Sequence, residues 1–511
     1  MLRKVRITLA AIFFVGLALL FLDFTGTAHR WLAWMAKAQA LEAVLALNVV
    51  VIVALVVLTL VFGRIYCSVI CPLGIMQDIF GWLGKKAKKN RYTYSPELRW
   101  LRYAMLVVMV VALVAGIGSL FQLLAPYSAF GRIMTTIFQP LWQLGNNVLA
   151  SIAERVDSYT FYSVDVWVKS LPVLIIALAT LLLLAVLAWR GGRTYCNTIC
   201  PVGTVLSFIS RYSWLKIRFD ADKCKNCSLC TKNCKASCID YKTHSVDYSR
   251  CVVCGDCISK CKFGALKYAG PARNSILSSS SSQTSSSSQT SPSSLSSSST
   301  PAGTDASKRA FLLSTALATT AVLAQDKLVD GGLATIKAKQ SHKRITPLTP
   351  PGSQSFKHFA QHCTGCQLCV SKCPNDVLRP SSDLMHLMLP EMSYDRGFCR
   401  PECTSCSEVC PAGAIKLIDE VEKTSIKIGH AIVVDKECIS AQGQDECGNC
   451  ARHCPTGAIT MVPSDPADDL SPAVPAINEA QCIGCGACEY VCPVRPLSAI
   501  HVEGHEVHKH I

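Results

Sequence analysis

The stretch that decides the fold reads CKNCSLCTKNC at residues 224–234, and CVVCGDCISKC at residues 251–261 repeats its spacing. Each run has three cysteines separated by two residues and a fourth cysteine after three more. This spacing is typical of two-cluster ferredoxins, in which three close thiolates hold three corners of a [4Fe-4S] cube and the fourth cysteine ligates the other cube. Tetrahedral zinc sites use pairs of ligands instead. The pattern therefore predicts two [4Fe-4S] clusters.

The two runs predict a crossed set of ligands. Lysine, rather than proline, follows Cys234 and Cys261, which affects the expected cluster potentials more than ligation. Cys238 is left over and is predicted to pack as a small buried apolar residue. The predicted ligands are Cys224, Cys227, Cys230 and Cys261 for one cluster, and Cys251, Cys254, Cys257 and Cys234 for the other.

The C-terminal part of the chain carries four more groups of four cysteines, each ending in Cys-Pro. Four groups imply four more cubes, which makes six in all. Either neighbouring groups or outer and inner groups exchange their fourth cysteines, and the spacing leaves this open. The groups are Cys363, Cys366, Cys369 and Cys373; Cys399, Cys403, Cys406 and Cys410; Cys438, Cys447, Cys450 and Cys454; and Cys482, Cys485, Cys488 and Cys492.

Length and composition indicate several domains, one of them in a membrane. Of the 511 residues 50% are hydrophobic and only 17% charged, which is apolar for a soluble protein. Lys and Arg are concentrated before the first apolar stretch, between the second and third, and after the fourth, which predicts a cytosolic N-terminus. The predicted spans are Ile7 to Phe24, Ala43 to Phe62, Tyr103 to Ala125 and Leu171 to Trp189.

The net charge of +15 does not indicate a nucleic-acid partner, because the basic residues lie beside apolar stretches and no nucleic-acid motif occurs. There is also no C-x-x-C-H motif for covalent haem and no G-x-G-x-x-G motif for a nicotinamide or flavin fold. These absences favour a chain that conducts electrons, with substrate chemistry at its ends.

An internal repeat lies within the predicted membrane domain. GRIYCSVICPLG at residues 63–74 recurs as GRTYCNTICPVG at residues 192–203, and each copy follows the cytosolic end of a predicted span. The repeat predicts two hairpins of one ancestral type. Its two CxxxCP motifs are candidates for redox-active thiols, for a metal shared across the repeat, or for a structural role. Their cysteines are Cys67, Cys71, Cys196 and Cys200.

Two unusual segments separate the halves of the chain. Residues 271–306 are dominated by serine and are predicted to form a flexible tether. Residues 307–326, SKRAFLLSTALATTAVLAQD, have a basic pair followed by an apolar stretch, as an exported protein has at its start. As a helix this stretch would span about 22 Å, less than the hydrocarbon core of about 30 Å. It is therefore predicted to be an export signal or anchor that delivers residues 327–511 outside the cytosol.

The chain resembles two protein families joined end to end. Residues 1 to about 268 resemble the NapH family of membrane quinol dehydrogenase components, with four spans, two CxxxCP motifs and a two-cluster ferredoxin. Residues 307–511 resemble the NapG family of exported four-cluster ferredoxins, with a twin-arginine-like start and the Cys438-x8-Cys447 spacing. The resemblance implies a fusion in which quinol is the electron donor and a periplasmic reductase or cytochrome is the acceptor.

The sequence thus predicts a multi-domain protein of the inner membrane. A four-helix transmembrane domain is combined with α+β ferredoxin modules of the bacterial type, one with two clusters in the cytosol and one with four in the periplasm. Two alternatives stay open: a donor to a cytosolic reductase, and a maturation or redox-regulatory membrane polyferredoxin. The predicted boundaries are 1–213, 214–270, 271–306, 307–326 and 327–511.

Overall fold

The computed structural model contains a helical bundle and two cysteine-rich domains. The predicted tether and the signal-like segment lie outside the described residues. We call residues 214–270 the N-terminal cysteine domain and residues 338–510 the C-terminal cysteine domain. The described residues are 2–23, 25–87, 92–158, 160–270, 329–330, 334–335, 338–468 and 471–510.

The bundle is built from apolar helices joined by short helical turns. A π-helical turn, Met134–Phe138, links α9 to α10. The helices are α1 (Leu2–Leu22), α2 (Thr27–Lys37), α3 (Ala40–Leu45), α4 (Val49–Phe62), α5 (Tyr66–Val69), α6 (Pro72–Lys86), α7 (Arg99–Val114), α8 (Gly118–Leu124), α9 (Pro126–Ile133), α10 (Gln139–Glu154), α11 (Leu171–Gly191), α12 (Thr194–Thr198) and α13 (Pro201–Ser210).

Two of the four predicted spans are full-length helices. Among the described residues, α1 and α11, of 21 residues each, are long and apolar enough to cross a membrane. The second predicted span is shortened, because the side chain of Asn48 accepts a hydrogen bond from Val51 N–H and caps α4, which has only 14 residues. The third is divided between α7 and α8 near Gly116, whose φ of 73° ends a helix. The four-span topology therefore stays a prediction.

The bundle exposes many apolar side chains and buries several charged ones within its apolar core. Its interior contains fully buried arginines at Arg64, Arg132 and Arg193. Soluble proteins rarely expose large apolar surfaces, whereas polar side chains in membrane bundles face the interior. The side chains that are at least half exposed include Ile12 and Val15 on α1, Val50 and Val53 on α4, Val107 and Val111 on α7, and Ile175 and Leu182 on α11.

The N-terminal cysteine domain packs on one end of the bundle, which we call the proximal end. Arg193 N–H, just after α11, donates to the carbonyl of Lys235 at 2.8 Å. At the end of α4, Phe62 accepts a hydrogen bond of 3.0 Å from the Tyr268 hydroxyl. The domain has two small antiparallel sheets, and its elements are β1 (Lys216–Phe219), α14 (Leu229–Lys232), β2 (Ile239–Asp240), β3 (Ser245–Val246), α15 (Asp256–Lys260) and β4 (Leu266–Ala269).

The C-terminal cysteine domain packs on the opposite, distal end. Just before α11, Lys169 Nζ donates to the carbonyl of Val370 at 2.9 Å, and Ser170 lies 3.0 Å from the Ser382 hydroxyl. The 21 residues of α11 therefore separate the two cysteine domains by about 30 Å.

The C-terminal cysteine domain alternates short helices with two-stranded antiparallel sheets. The pairs are β7 with β8, β10 with β11, and β9 with β12; β5 (Val329–Asp330) pairs with β6 (Ala334–Thr335) outside this domain. Its elements are α16 (Phe356–His362), α17 (Leu368–Lys372), β7 (Leu378–Pro380), β8 (Pro390–Met392), α18 (Ser405–Val409), α19 (Glu420–Ser425), β9 (Ile426–Val433), a 3-10 turn (Asp435–Glu437), α20 (Asn449–Arg452), β10 (Ile459–Pro463), β11 (Ala473–Ile477), α21 (Ala487–Val491) and β12 (Ile500–His510).

Candidate iron-sulfur sites

In the N-terminal cysteine domain, the fourth cysteine of the first run lies among the cysteines of the second. Burial raises the pKa of the Cys257 thiol, and its neighbours Cys254, Cys234 and Cys251 raise it further. Cys257 lies on α15, and Gly255 in the left-handed region (φ 73°) turns the chain into that helix. The structure thus brings Cys234 to the position that crossed ligation requires of a remote ligand.

Cys238 lies closer to this set than its predicted packing role suggests. Its side chain is 1% exposed and its Sγ lies 3.5 Å from Sγ of Cys234. Contacts with Cys234 and Cys251, together with burial, raise the pKa of the Cys238 thiol. In the sequence, the feature that could have indicated this position of Cys238 is its spacing from Cys234, with three residues between them. The structure therefore places Cys238 beside predicted cluster ligands.

In the C-terminal cysteine domain, neighbouring groups of cysteines exchange their fourth members. Burial raises the pKa of Cys369, and Cys363, Cys366 and Cys410 raise it further. Burial also raises the pKa of Cys485 to about 12, with contributions from other thiols that include Cys454. Two cavities are each lined by four thiols that fit a cube. One is lined by Cys399, Cys403, Cys406 and Cys373, and the other by Cys438, Cys447, Cys450 and Cys492.

This pairing predicts how iron is lost when ligands are replaced. Fully loaded, six cubes contain about 24 iron atoms. Because Cys363 and Cys410 lie in one set, we expect Cys363→Ser with Cys410→Ser to lose about four irons, no more than either single variant. Cys403→Ser with Cys410→Ser should lose about eight, since these residues lie in different sets. Anaerobic iron and sulfide analysis measures this, and a loss of about eight from the first pair would contradict the pairing.

The two CxxxCP motifs meet inside the bundle. We call their cysteines the four-cysteine site: Cys67, Cys71, Cys196 and Cys200. Each is at most 5% exposed and free of disulfides, and the thiol of Cys71 interacts electrostatically with the other three. Within the described part of the chain, no three His, Cys, Asp or Glu side chains are arranged to hold a single metal ion.

A buried ion network lies beside the four-cysteine site at the proximal end. Asp78 on α6 accepts two hydrogen bonds from Arg193, of 2.7 and 2.8 Å. It also pairs with Lys235 at 2.7 Å and with Arg6 at 3.0 Å. Burial alone would raise the pKa of Asp78, but Arg193 and Lys235 outweigh burial and hold it well below its usual range. The network joins α1, α6, the second repeat and the N-terminal cysteine domain.

Comparison with known proteins finds three family models for iron-sulfur domains, which match the chain in four places. A family model described as a 4Fe-4S binding domain matches residues 44–91 and 171–221. A second model of the same description matches residues 244–267, and a 4Fe-4S dicluster domain matches residues 445–495. The prediction of ferredoxin-type 4Fe-4S domains is therefore confirmed, whereas the number of six clusters stays a prediction.

The similar proteins are of the ferredoxin type. The methylamine utilization ferredoxin-type protein MauM of Methylobacillus flagellatus is 34% identical over 152 residues, 29% of this chain and 64% of MauM. The ferredoxin-type protein NapH of Escherichia coli is 27% identical over 229 residues, 43% of this chain and 67% of NapH. The putative electron transport protein YccM of Escherichia coli is 26% identical over 229 residues, 43% of this chain and 55% of YccM. The relatives thus support iron-sulfur electron transfer.

Proposed function

We propose that the protein takes electrons from quinol and passes them across the inner membrane, through iron-sulfur clusters, to a periplasmic reductase or cytochrome. The observation that carries this proposal is the position of the two cysteine domains at opposite ends of one bundle with an apolar surface. Positive charge supports a cytosolic proximal end, since Lys85, Lys86 and Arg190 lie in the last turns of α6 and α11. The distal end then lies on the periplasmic side, in agreement with the predicted export signal.

A cavity at the proximal end fits a quinol. Its walls are apolar residues of α1 and α6, including Phe14 and Trp82, and its polar end contains Asp78 and Tyr92. The cavity also reaches Lys235 next to the predicted ligand Cys234. Ligand sites of this kind combine an apolar body with a few convergent polar groups. A quinol ring can therefore hydrogen-bond at the polar end while its isoprenoid tail lies along the apolar walls.

In the proposed reaction a two-electron donor, quinol, reduces one-electron carriers, the iron-sulfur clusters. Oxidation of one quinol releases two electrons and two protons, and the clusters take the electrons singly. Because the ion network holds Asp78 as a carboxylate, this residue can accept a hydrogen bond from a quinol hydroxyl without taking its proton. The two protons pass to water at the proximal end, while the two electrons enter the N-terminal cysteine domain one at a time.

This function predicts that a reduced quinone analogue bleaches the visible absorption of the clusters in membranes containing the protein. Ala11→Trp, which places a large ring in the cavity, should slow this bleaching at least about tenfold, since an indole would occupy the space of the substrate. Bleaching by dithionite should be unchanged in the same variant.

A matched control is Val110→Trp, which adds the same ring to the exposed face of α7. It should leave quinol-driven bleaching as it is. If only a cytosolic pyridine-nucleotide system reduces the clusters, quinol is not the donor.

A further inference from the structure

The four-cysteine site has the surroundings of a cofactor rather than of a packing core. We propose that its thiols together hold one further iron-sulfur cluster, and that this cluster relays electrons between the two cysteine domains. The inference rests on the proposed function, because it needs the bundle to separate two electron-carrying domains. It assigns both CxxxCP motifs to a single centre.

The two repeats clamp each other symmetrically around this site. Arg193 of the second repeat donates to the carbonyl of Cys67 in the first at 2.5 Å, and Arg64 of the first donates to the carbonyl of Cys196 in the second at 3.4 Å. Arg64 also lies 3.8 Å from Sγ of Cys67. Each arginine therefore holds the backbone of the first cysteine of the opposite motif and keeps the two motifs together, and the thiols of both motifs lie close enough to interact electrostatically.

The charges around the thiols favour an anionic group. Arg64 is fully buried, and its hydrogen-bond partners in the described residues are neutral: Asn197, the carbonyls of Ser249 and Cys196, and the Cys67 sulfur. A buried cation without a counter-charge is costly. An iron-sulfur core with four thiolates is negatively charged and supplies that counter-charge.

Two hydrogen-bond donors lie close to sulfur atoms of the four-cysteine site. Gln77 Nε2 lies 3.1 Å from Sγ of Cys196, and Gly203 N–H lies 3.5 Å from Sγ of Cys200. Hydrogen bonds to the sulfurs are among the factors that set the potential of a cluster. Cys71 and Cys200 are also the residues directly before α6 and α13, where the helix dipole offsets part of the cost of burying a thiolate.

The site lies between predicted cluster ligands of both cysteine domains. On the proximal side, Asn197 next to Cys196 donates to the carbonyl of Ala236 at 3.2 Å, two residues after Cys234. On the distal side, the backbone of Gly131 lies so close to the carbonyl of Cys366 that a side chain there would clash with it, and the charge of the neighbouring Arg132 acts on Tyr195, next to Cys196. Residues beside the four-cysteine site are therefore close to Cys234 on the proximal side, and residues near it are close to Cys366 on the distal side.

A relay here meets a physical requirement. Electron-transfer rates fall steeply with distance, and the hydrocarbon core is about 30 Å thick. A cluster held by these four thiols would accept one electron from a reduced cluster of the N-terminal cysteine domain, which would thereby be oxidised, and would pass that electron to an oxidised cluster of the C-terminal cysteine domain. No bond forms or breaks and no proton is needed.

Two other uses of the four thiols fit less well. Among the described residues no three His, Cys, Asp or Glu side chains are grouped for a single metal ion, and this holds at the four-cysteine site as it does among the predicted cubane ligands. A disulfide relay would carry electrons in pairs and would exchange protons. The family model for a 4Fe-4S binding domain matches residues 44–91 and 171–221, and these ranges contain no cysteines except those of the four-cysteine site.

The test replaces one thiol in the full chain and measures both iron and transfer. We expect Cys196→Ser to lose about four irons per chain, as one cube contains. In proteoliposomes without quinone, oriented with the proximal end outward, membrane-impermeant dithionite should bleach all clusters of the unchanged protein. In the variant it should bleach only those of the N-terminal cysteine domain. Thr198→Val, which removes a hydroxyl bonded within α12, should change neither result.

A second variant covers the case in which Cys196→Ser fails to fold. Gln77→Leu keeps all four thiols, so iron should stay constant while one reduction potential falls, because a hydrogen bond to sulfur is lost. Unchanged iron with full bleaching in Cys196→Ser, or unchanged potentials in Gln77→Leu, would overturn the proposal. So would unchanged iron with interrupted transfer, since that result indicates a metal-free thiol relay. Because no quinol is used, failure of the quinol proposal is measured separately.

Discussion

A reporter that works only outside the cytosol should be active when fused after Ile511 and silent when fused after Tyr268. The expectation follows from α11, whose two ends contact different cysteine domains: Ser170 lies against Ser382, and Arg193 bonds to Lys235. If this apolar helix crosses the membrane, the two domains lie on opposite sides. The effect is all or none, because such reporters fold or react in one compartment only.

A reporter restricted to the cytosol provides the reciprocal control and should be active after Tyr268 only. Activity of the external reporter at neither position would leave both cysteine domains in the cytosol. The exposed apolar side chains of the bundle would then need another explanation. The better interpretation of the protein would be that it donates electrons to a cytosolic reductase.

The apolar stretches could be found from composition, but their ends could not. The predicted second span begins at Ala43, whereas α4 begins at Val49 after the Asn48 cap. Residues 40–45 form the separate short helix α3, which contains the buried Glu42. Hydropathy measures only side-chain transfer, and a hydrogen-bonded cap overrides it locally.

Cysteine spacing predicted the kind of cofactor but not its neighbours. Three ligands of each cube are local in sequence, so the runs identify them, whereas the fourth depends on how the groups pack together. The position of Cys410 beside Cys369 required the structure. The same holds for the four-cysteine site, because the repeat reveals two pairs of thiols but not the crossed contacts of Arg64 and Arg193 that unite them.

Asp78→Asn should destabilise the proximal end by about 3–5 kcal/mol, the usual cost of removing one partner from a buried ion pair. Its carboxylate forms ion pairs with Arg193, Lys235 and Arg6, and the side chain of Arg193 is fully buried. The amide of asparagine is nearly the same size as the carboxylate of Asp78, and its one oxygen still accepts hydrogen bonds. The substitution therefore removes the negative charge and leaves the packing almost intact. Thermal unfolding of the purified protein in detergent should show a clear fall in melting temperature.

The matched control is Arg3→Gln, which removes the pair between Arg3 and Asp256 at 2.9 Å. Because the Arg3 side chain is 51% exposed, water and salt screen this pair and the expected cost is about 0–1 kcal/mol. Equal small losses in both variants would mean that water reaches the network around Asp78. Asp78 also lines the proposed quinol cavity, so a loss of turnover in Asp78→Asn could have two causes. Thermal unfolding is therefore the decisive measurement. It reports the stability of the ion network that holds the second repeat against the N-terminal cysteine domain, and it does not depend on the identity of the electron donor.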